Sequence, residues 1–113
     1  MNKRNTKTTQ VEVSDSSVYA QLGYPDADDM LIKAQLVSKI AEIIKRKSLT
    51  QTEAAELLGL TQPKLSRILR GDFRGVSERR LMDCLTKLGR DVQIVVKERA
   101  RAKDPGKVSI VFA

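Results

Sequence analysis

Histidine is absent from this chain of 113 residues, tryptophan is absent too, cysteine occurs once, and Tyr and Phe occur twice each. Each shortage closes a class of function. Without an imidazole there is no Cys–His dyad and no Ser–His–Asp triad, and with one thiol besides there is no ordinary zinc site. The single Cys84 cannot form an intramolecular disulfide, which fits a reducing compartment. Four phenyl-type rings are too few for the stacking platforms that read single strands and RNA. Lys3, Arg4 and Lys7 are followed by no apolar run, so no signal peptide is expected. No stretch approaches the roughly 18 apolar residues of a membrane span, and a cytoplasmic protein is expected. Glu42 and Lys45 are not accompanied by clustered carboxylates for a metal, so neither an enzyme nor a cofactor is expected.

What the chain has in excess is positive charge: 21 Lys and Arg against 14 Asp and Glu, a formal net charge of +7. Such a balance points to a polyanionic partner, and with few aromatic side chains duplex DNA is the better match. The length suits one domain with a modest core, which dimerisation would help to cover.

Along the chain, residues 1–16 read as a flexible basic tail, with Val11 and Val13 too short an alternation to define a strand. Residues 17–90 read as a helical domain. Its first helix is expected from Asp26, with Asp28 and Asp29 at the positive end of the helix dipole. Ile32, Leu36, Ile40, Ile43 and Ile44 form its buried stripe, and Lys45, Arg46 and Lys47 its last turn. Thr50 and Glu53 form a capping box for a second helix that stops at Gly59. Thr61 caps a third, with Pro63 in its first turn and Gly71 at its end. Ser77 caps a fourth, with Leu81, Cys84, Leu85 and Leu88 inward and Gly89 closing it. Beyond Gly89 the period changes to two. Val92, Ile94 and Val96 alternate, as do Val108, Ile110 and Phe112, with Asp104-Pro105-Gly106 as a turn between them. Residues 91–113 therefore read as a strand or hairpin, expected to pack on the helices or pair across a dimer axis.

The stretch TQTEAAELLGLTQPKLSRILRG, Thr50 to Gly71, carries most of the functional information. With Gln51 as position one of a helix-turn-helix, Ala55 at position five is small where the two helices cross. Gly59 at position nine permits the positive φ of a tight turn. Leu65 and Ile68, at positions fifteen and eighteen, bury the inner face of the second helix. The residues left outside are Thr61, Gln62, Lys64, Ser66, Arg67 and Arg70. Glutamine pairs bidentately with adenine, arginine and lysine with guanine, and serine adapts to either. An ordinary pair of amphipathic helices has no need of that polar, basic outer face.

Residues 50–71 resemble the helix-turn-helix of the Cro/repressor-type (XRE) regulators. The longer runs GYPDADDMLIKAQL and RGDFRGVSERRLMDCLTKLGRDVQIVV resemble one branch of them, the HigA-like antitoxins of toxin–antitoxin operons. The resemblance covers roughly residues 17–97. It implies a lambda-repressor-like bundle of about four helices and a homodimer whose third helix reads the major groove. Gln62, Lys64, Ser66 and Arg67 would then lie at or near bases, and Gln51, Arg74, Gly75 and Ser77 at phosphates. It also implies a second role, neutralising a RelE/HigB-type RNase. A lone repressor without a toxin, or an interaction protein whose DNA site has decayed, are the competing readings.

Blander readings stand beside some of these residues. Phe73 is expected to plug the loop before the fourth helix, and Cys84 to be core. The adhesion-like tripeptide Arg70-Gly71-Asp72 is read as coincidence. Lys3, Arg4 and Lys7 form either a solvated tail or a minor-groove arm. Val18, Tyr19, Leu22 and Tyr24 either fold over the first helix or form a toxin-binding segment.

Overall fold

The structure, a computed structural model, describes residues 26–99 and 105–113. Its helices are α1 (Ala27–Arg46), α2 (Gln51–Leu58), α3 (Gln62–Leu69) and α4 (Glu78–Lys87). The basic tail, the Val18–Tyr24 cluster, Arg101, Lys103 and Asp104 lie outside the described residues.

Helical spacing of apolar residues makes α1 the spine. Met30, Ala34, Leu36, Val37, Ile40, Ile43 and Ile44 are buried along it, with acidic residues in its first turn and basic ones in its last. Ile32, expected in that stripe, is only partly buried at the edge of the core. Asp26 occupies the N-cap position, but its carboxylate makes no capping bond; it is engaged elsewhere.

The three shorter helices begin as their sequences dictate. At α2, Glu53 N donates to Thr50 Oγ1 at 3.1 Å and Thr50 N donates to Glu53 Oε1 at 2.8 Å, a complete capping box. Loss of such a cap costs about 1 kcal/mol. At α3, Lys64 N donates to Thr61 Oγ1 at 3.2 Å, and at α4, Arg80 N donates to Ser77 Oγ at 3.1 Å. Between α2 and α3 the chain must turn in three residues. Gly59 does this at φ 70°, letting Leu60 N reach the Ala55 carbonyl at 2.9 Å. A side chain at Gly59 would be strained in that left-handed conformation.

Packing places α1 against α4 and α3, and α2 against α3 and α4. Ile40, Ile43, Leu65, Leu81 and Leu88 fill the centre, and Ala54 and Ala55 let α2 sit close. Phe73 is buried under the α3–α4 loop, as its sequence context suggests. Cys84 is buried on the inner face of α4, and that burial pushes its thiol pKa up, away from the reactive thiolate. No helix among the described residues is long and apolar enough to cross a membrane.

The strand or hairpin expected of residues 91–113 does not appear among the described residues. Among the described residues, 91–99 and 105–113 carry no strand. Alternation supplies an apolar face but no ladder, and two isolated strands are marginal in water. A few contacts nevertheless tie the two segments to each other and the second of them to the bundle. Arg99 Nη1 donates to the Pro105 carbonyl at 2.7 Å, Ile110 packs against the core, and the Lys39 ammonium lies 5.2 Å from the centre of the Phe112 ring. Ile94, Val95, Val96, Val108 and Val111 stay exposed.

Candidate nucleic-acid interface

Leu65 and Ile68 turn one side of α3 into the core, which forces its other residues outward. Pro63, Arg67 and Arg70 are exposed along one ridge, and Lys64 and Ser66 flank it half-buried. No acidic residue occurs within α3. Arg67 in the last turn and Arg70 at the C-cap also suit the negative end of the helix. The ridge therefore presents three cations and a hydroxyl with no counter-charge from its own helix.

At the start of α3 the side chain of Gln62 is tied to the start of α2. Its Nε2 donates to Gln51 Oε1 at 2.9 Å, and both residues are exposed. The pair leaves Gln51 Nε2 free to donate and Gln62 Oε1 free to accept, a polar unit fixed in orientation by its own hydrogen bond. Thr61, exposed beside it, uses an oxygen lone pair for the cap and keeps its hydroxyl proton.

The loop leading to α4 is fastened to α1 from two sides. Arg74 Nη1 donates to both oxygens of Asp26, at 2.8 and 2.7 Å. That hydrogen bond, aided by the charges of Arg74 and Lys33, holds the Asp26 carboxyl below its usual pKa. Lys33, buried within α1, donates its ammonium to the Arg74 carbonyl at 2.7 Å. These contacts fix where Arg74, Gly75 and Ser77 stand at the entrance to α4. Ser77 is exposed and spends its oxygen on the α4 cap.

The sequence reading thus placed Thr61, Gln62, Lys64, Ser66, Arg67 and Arg70 on or beside one helix, and Gln51 joins them through Gln62. Arg74 and Ser77 stand apart on the next loop. Three features escaped that reading: the Gln51–Gln62 pair, the Asp26–Arg74 ion pair, and the buried Lys33. Two more cations, Arg79 and Arg80, stand in the first turn of α4, where the helix dipole disfavours them. That mismatch is a sequence signal for a nearby anion, although Arg79 leans on Asp83 at 3.5 Å.

A capped short helix, a glycine turn and a second short helix with a basic outer face, supported by two further helices, define a helix-turn-helix module. Comparison with known proteins agrees: residues 18–97 match a family model described as a helix-turn-helix domain, and the chain belongs to that family. Among solved structures it is similar to a chain named for the XRE family of transcriptional regulators. The two share 36% identity with a TM-score of 0.73, over 79% of this chain and 100% of that one. A search of curated proteins finds no match. Fold and family are those of XRE-type, DNA-binding transcriptional regulators.

Proposed function

We propose that the protein is a homodimeric, cytoplasmic repressor that places α3 in the major groove of an operator, most directly that of its own operon. The observation that carries this reading is the outward ridge of α3, with Lys64, Ser66, Arg67 and Arg70 and no acidic residue within the helix. In the proposed complex Gln62, Lys64, Ser66 and Arg67 meet base edges, with Thr61 and Arg70 at the margins of the groove. Gln51, Arg74 and Ser77 meet phosphates, which set register rather than specificity. A two-fold dimer then spaces its recognition helices about 34–36 Å apart, one turn of DNA.

The test is binding of the purified protein to a duplex from its own promoter and to a scrambled duplex, over a salt series. A specific-to-random ratio of about a thousand or more, with a steep salt slope, is the expected result. A ratio near one would mean that the motif serves as a scaffold for protein contacts.

The finer proposal is that this repressor is the antitoxin of a type II toxin–antitoxin operon. Its support is the HigA-like character of the runs before and after the motif, GYPDADDMLIKAQL and RGDFRGVSERRLMDCLTKLGRDVQIVV. Co-expression with the product of the adjacent gene checks it. A stable complex that silences an RNase is expected, and a neighbour that neither binds nor is silenced leaves a stand-alone repressor.

A further inference from the structure

Six of the seven exposed large hydrophobics among the described residues lie beyond α4: Val92, Ile94, Val95, Val96, Val108 and Val111. The segment that holds four of them has no regular secondary structure and no strand partner among the described residues. A groove of about 230 Å³ between this segment and α4, lined by Met82, Thr86, Val92 and Ile94 with the Arg79–Asp83 pair beside it, continues the same apolar surface. Something must cover an edge of this kind, because an exposed apolar strand is a template for pairing.

The charges around it say what. Numbered outward from Ile94, the segment Arg90-Asp91-Val92-Gln93-Ile94-Val95-Val96-Lys97-Glu98 is matched against its own reverse. Laid antiparallel on a second copy with Ile94 at the two-fold axis, Val92 faces Val96, Asp91 faces Lys97 and Arg90 faces Glu98. Every charge meets its opposite, twice over, Ile94 meets its own copy beside the Val92–Val96 pairs, and only Gln93 and Val95 pair polar with apolar. Moving the axis to Val95 sets Glu98 against Val92 and Lys97 against Gln93, so only the Asp91–Arg99 pair survives. A parallel alignment sets each charge against its like. None of Arg90, Asp91, Lys97 and Glu98 forms an ion pair with another described residue. In contrast to the basic ridge of α3, residues 90–98 carry two cations and two anions, so two copies can approach without net repulsion.

We infer that residues 90–98 form an antiparallel strand pair between two copies of this chain, in a register centred on Ile94 and selected by the Arg90–Glu98 and Asp91–Lys97 cross-pairs. The inference rests on the homodimer proposed above and gives it a seam. The pair is isologous, as two-fold symmetry requires. It puts Arg90, Val92, Ile94, Val96 and Glu98 of each copy on one face, and that face continues into the Met82 groove. The ladder that one chain lacks is completed by its partner, with cross-strand pairs as the stabilising unit.

The test uses full-length Asp91→Lys and Lys97→Asp variants in sedimentation at low salt, alone and mixed in equal amounts. Each variant alone sets like charges opposite at two places and should self-associate roughly ten- to thirty-fold more weakly than wild type. The mixture should recover wild-type association, because each lysine then faces an aspartate of the other chain. Weakened variants that mixing does not rescue would overturn the register, as would variants that associate normally. An intrachain pair, or a covering by the N-terminal residues or another protein, gives one of those results. As a second readout, Ile94→Cys should cross-link to itself on mild oxidation. Val96→Cys should not, its two copies lying four residues, roughly 13 Å, out of step; the reverse pattern overturns the axis. Operator binding of wild type is measured in parallel. Specific binding by a wild-type dimer with no register effect sinks only the seam, whereas a monomeric wild type sinks the homodimer reading as well.

Discussion

Replacing Gln51 and Gln62 by alanine, singly and together, tests whether the two amides act as a unit on DNA. In the free protein both are exposed and their 2.9 Å hydrogen bond competes with water. Neither substitution should move folding stability by more than about 0.5 kcal/mol. In the proposed complex, water would be excluded and the same bond would orient Gln62 toward a base while Gln51 met a phosphate. Loss of a bidentate glutamine–adenine contact costs about 1–3 kcal/mol, and loss of the Gln51 contact about 1 kcal/mol. Each single variant also forfeits the bond between them, a net 0.5–1.5 kcal/mol for a neutral pair, at roughly the same cost whichever partner goes. The double variant should therefore lose about 1 kcal/mol less than the sum of the singles. The assay is operator titration of all four proteins at one salt concentration, with scrambled duplex as reference. Additivity within about 0.3 kcal/mol would refute the coupling. An equal loss on both duplexes would refute the base contact.

Other expectations concern the same face and its supports. Arg67→Ala should cost about 1–3 kcal/mol on the operator and relax preference at one base position, read from binding to a panel of single-base variants; equal loss on random DNA would make Arg67 a phosphate contact. Lys33→Met should lower stability in urea by about 1–2 kcal/mol, because a charged donor to the Arg74 carbonyl is removed from a buried site. It should also weaken operator and scrambled DNA alike through the loosened loop, and an unchanged denaturation midpoint would contradict the first effect. The Asp26 carboxyl is held below its usual value of 3.8, so its pairing with Arg74 stabilises the fold fully above that value and fades as pH falls through the lowered one. Asp26→Asn should flatten the acid limb of a stability-versus-pH curve in that window; an unaltered limb would show the pairing to be immaterial.

Most of the helical body was readable because local signals and the hydrophobic period agree in it. Thr50 with Glu53, Thr61 with Pro63, Ser77, and Gly59 each act within one turn of the chain, so their effect is written beside them. The same is true of Leu65 and Ile68, whose spacing alone assigns the outer face of α3. Ile32 was misjudged because a period locates a stripe but not its edge, which depends on what lies opposite. Lys33 shows a different limit. Its ammonium is buried against a carbonyl 41 residues away, and a lysine between apolar neighbours carries no mark of that destination. Asp26 was expected to begin the first helix and does stand at its N-cap position, yet its carboxylate goes to Arg74, 48 residues on. The alternation of residues 92–96 was plain, but a strand is a relation between two segments, and one segment cannot supply both sides.

The two helices of the motif, α2 and α3, are eight residues each. Helices below about 12–15 residues do not hold their shape in water, whatever their caps. A peptide spanning Thr50 to Gly71 should therefore be unstructured, and the motif exists only while α1 and α4 hold it. DNA recognition and global folding are then one equilibrium viewed from two ends. Operator at a hundred times its dissociation constant would raise the unfolding free energy by about 2.7 kcal/mol. Conversely, any core variant that unfolds a fraction of the free molecules lowers the concentration able to bind DNA by that same fraction. In the proposed repressor role, operator occupancy would fall with the protein's own stability, so heating would read out as transcription.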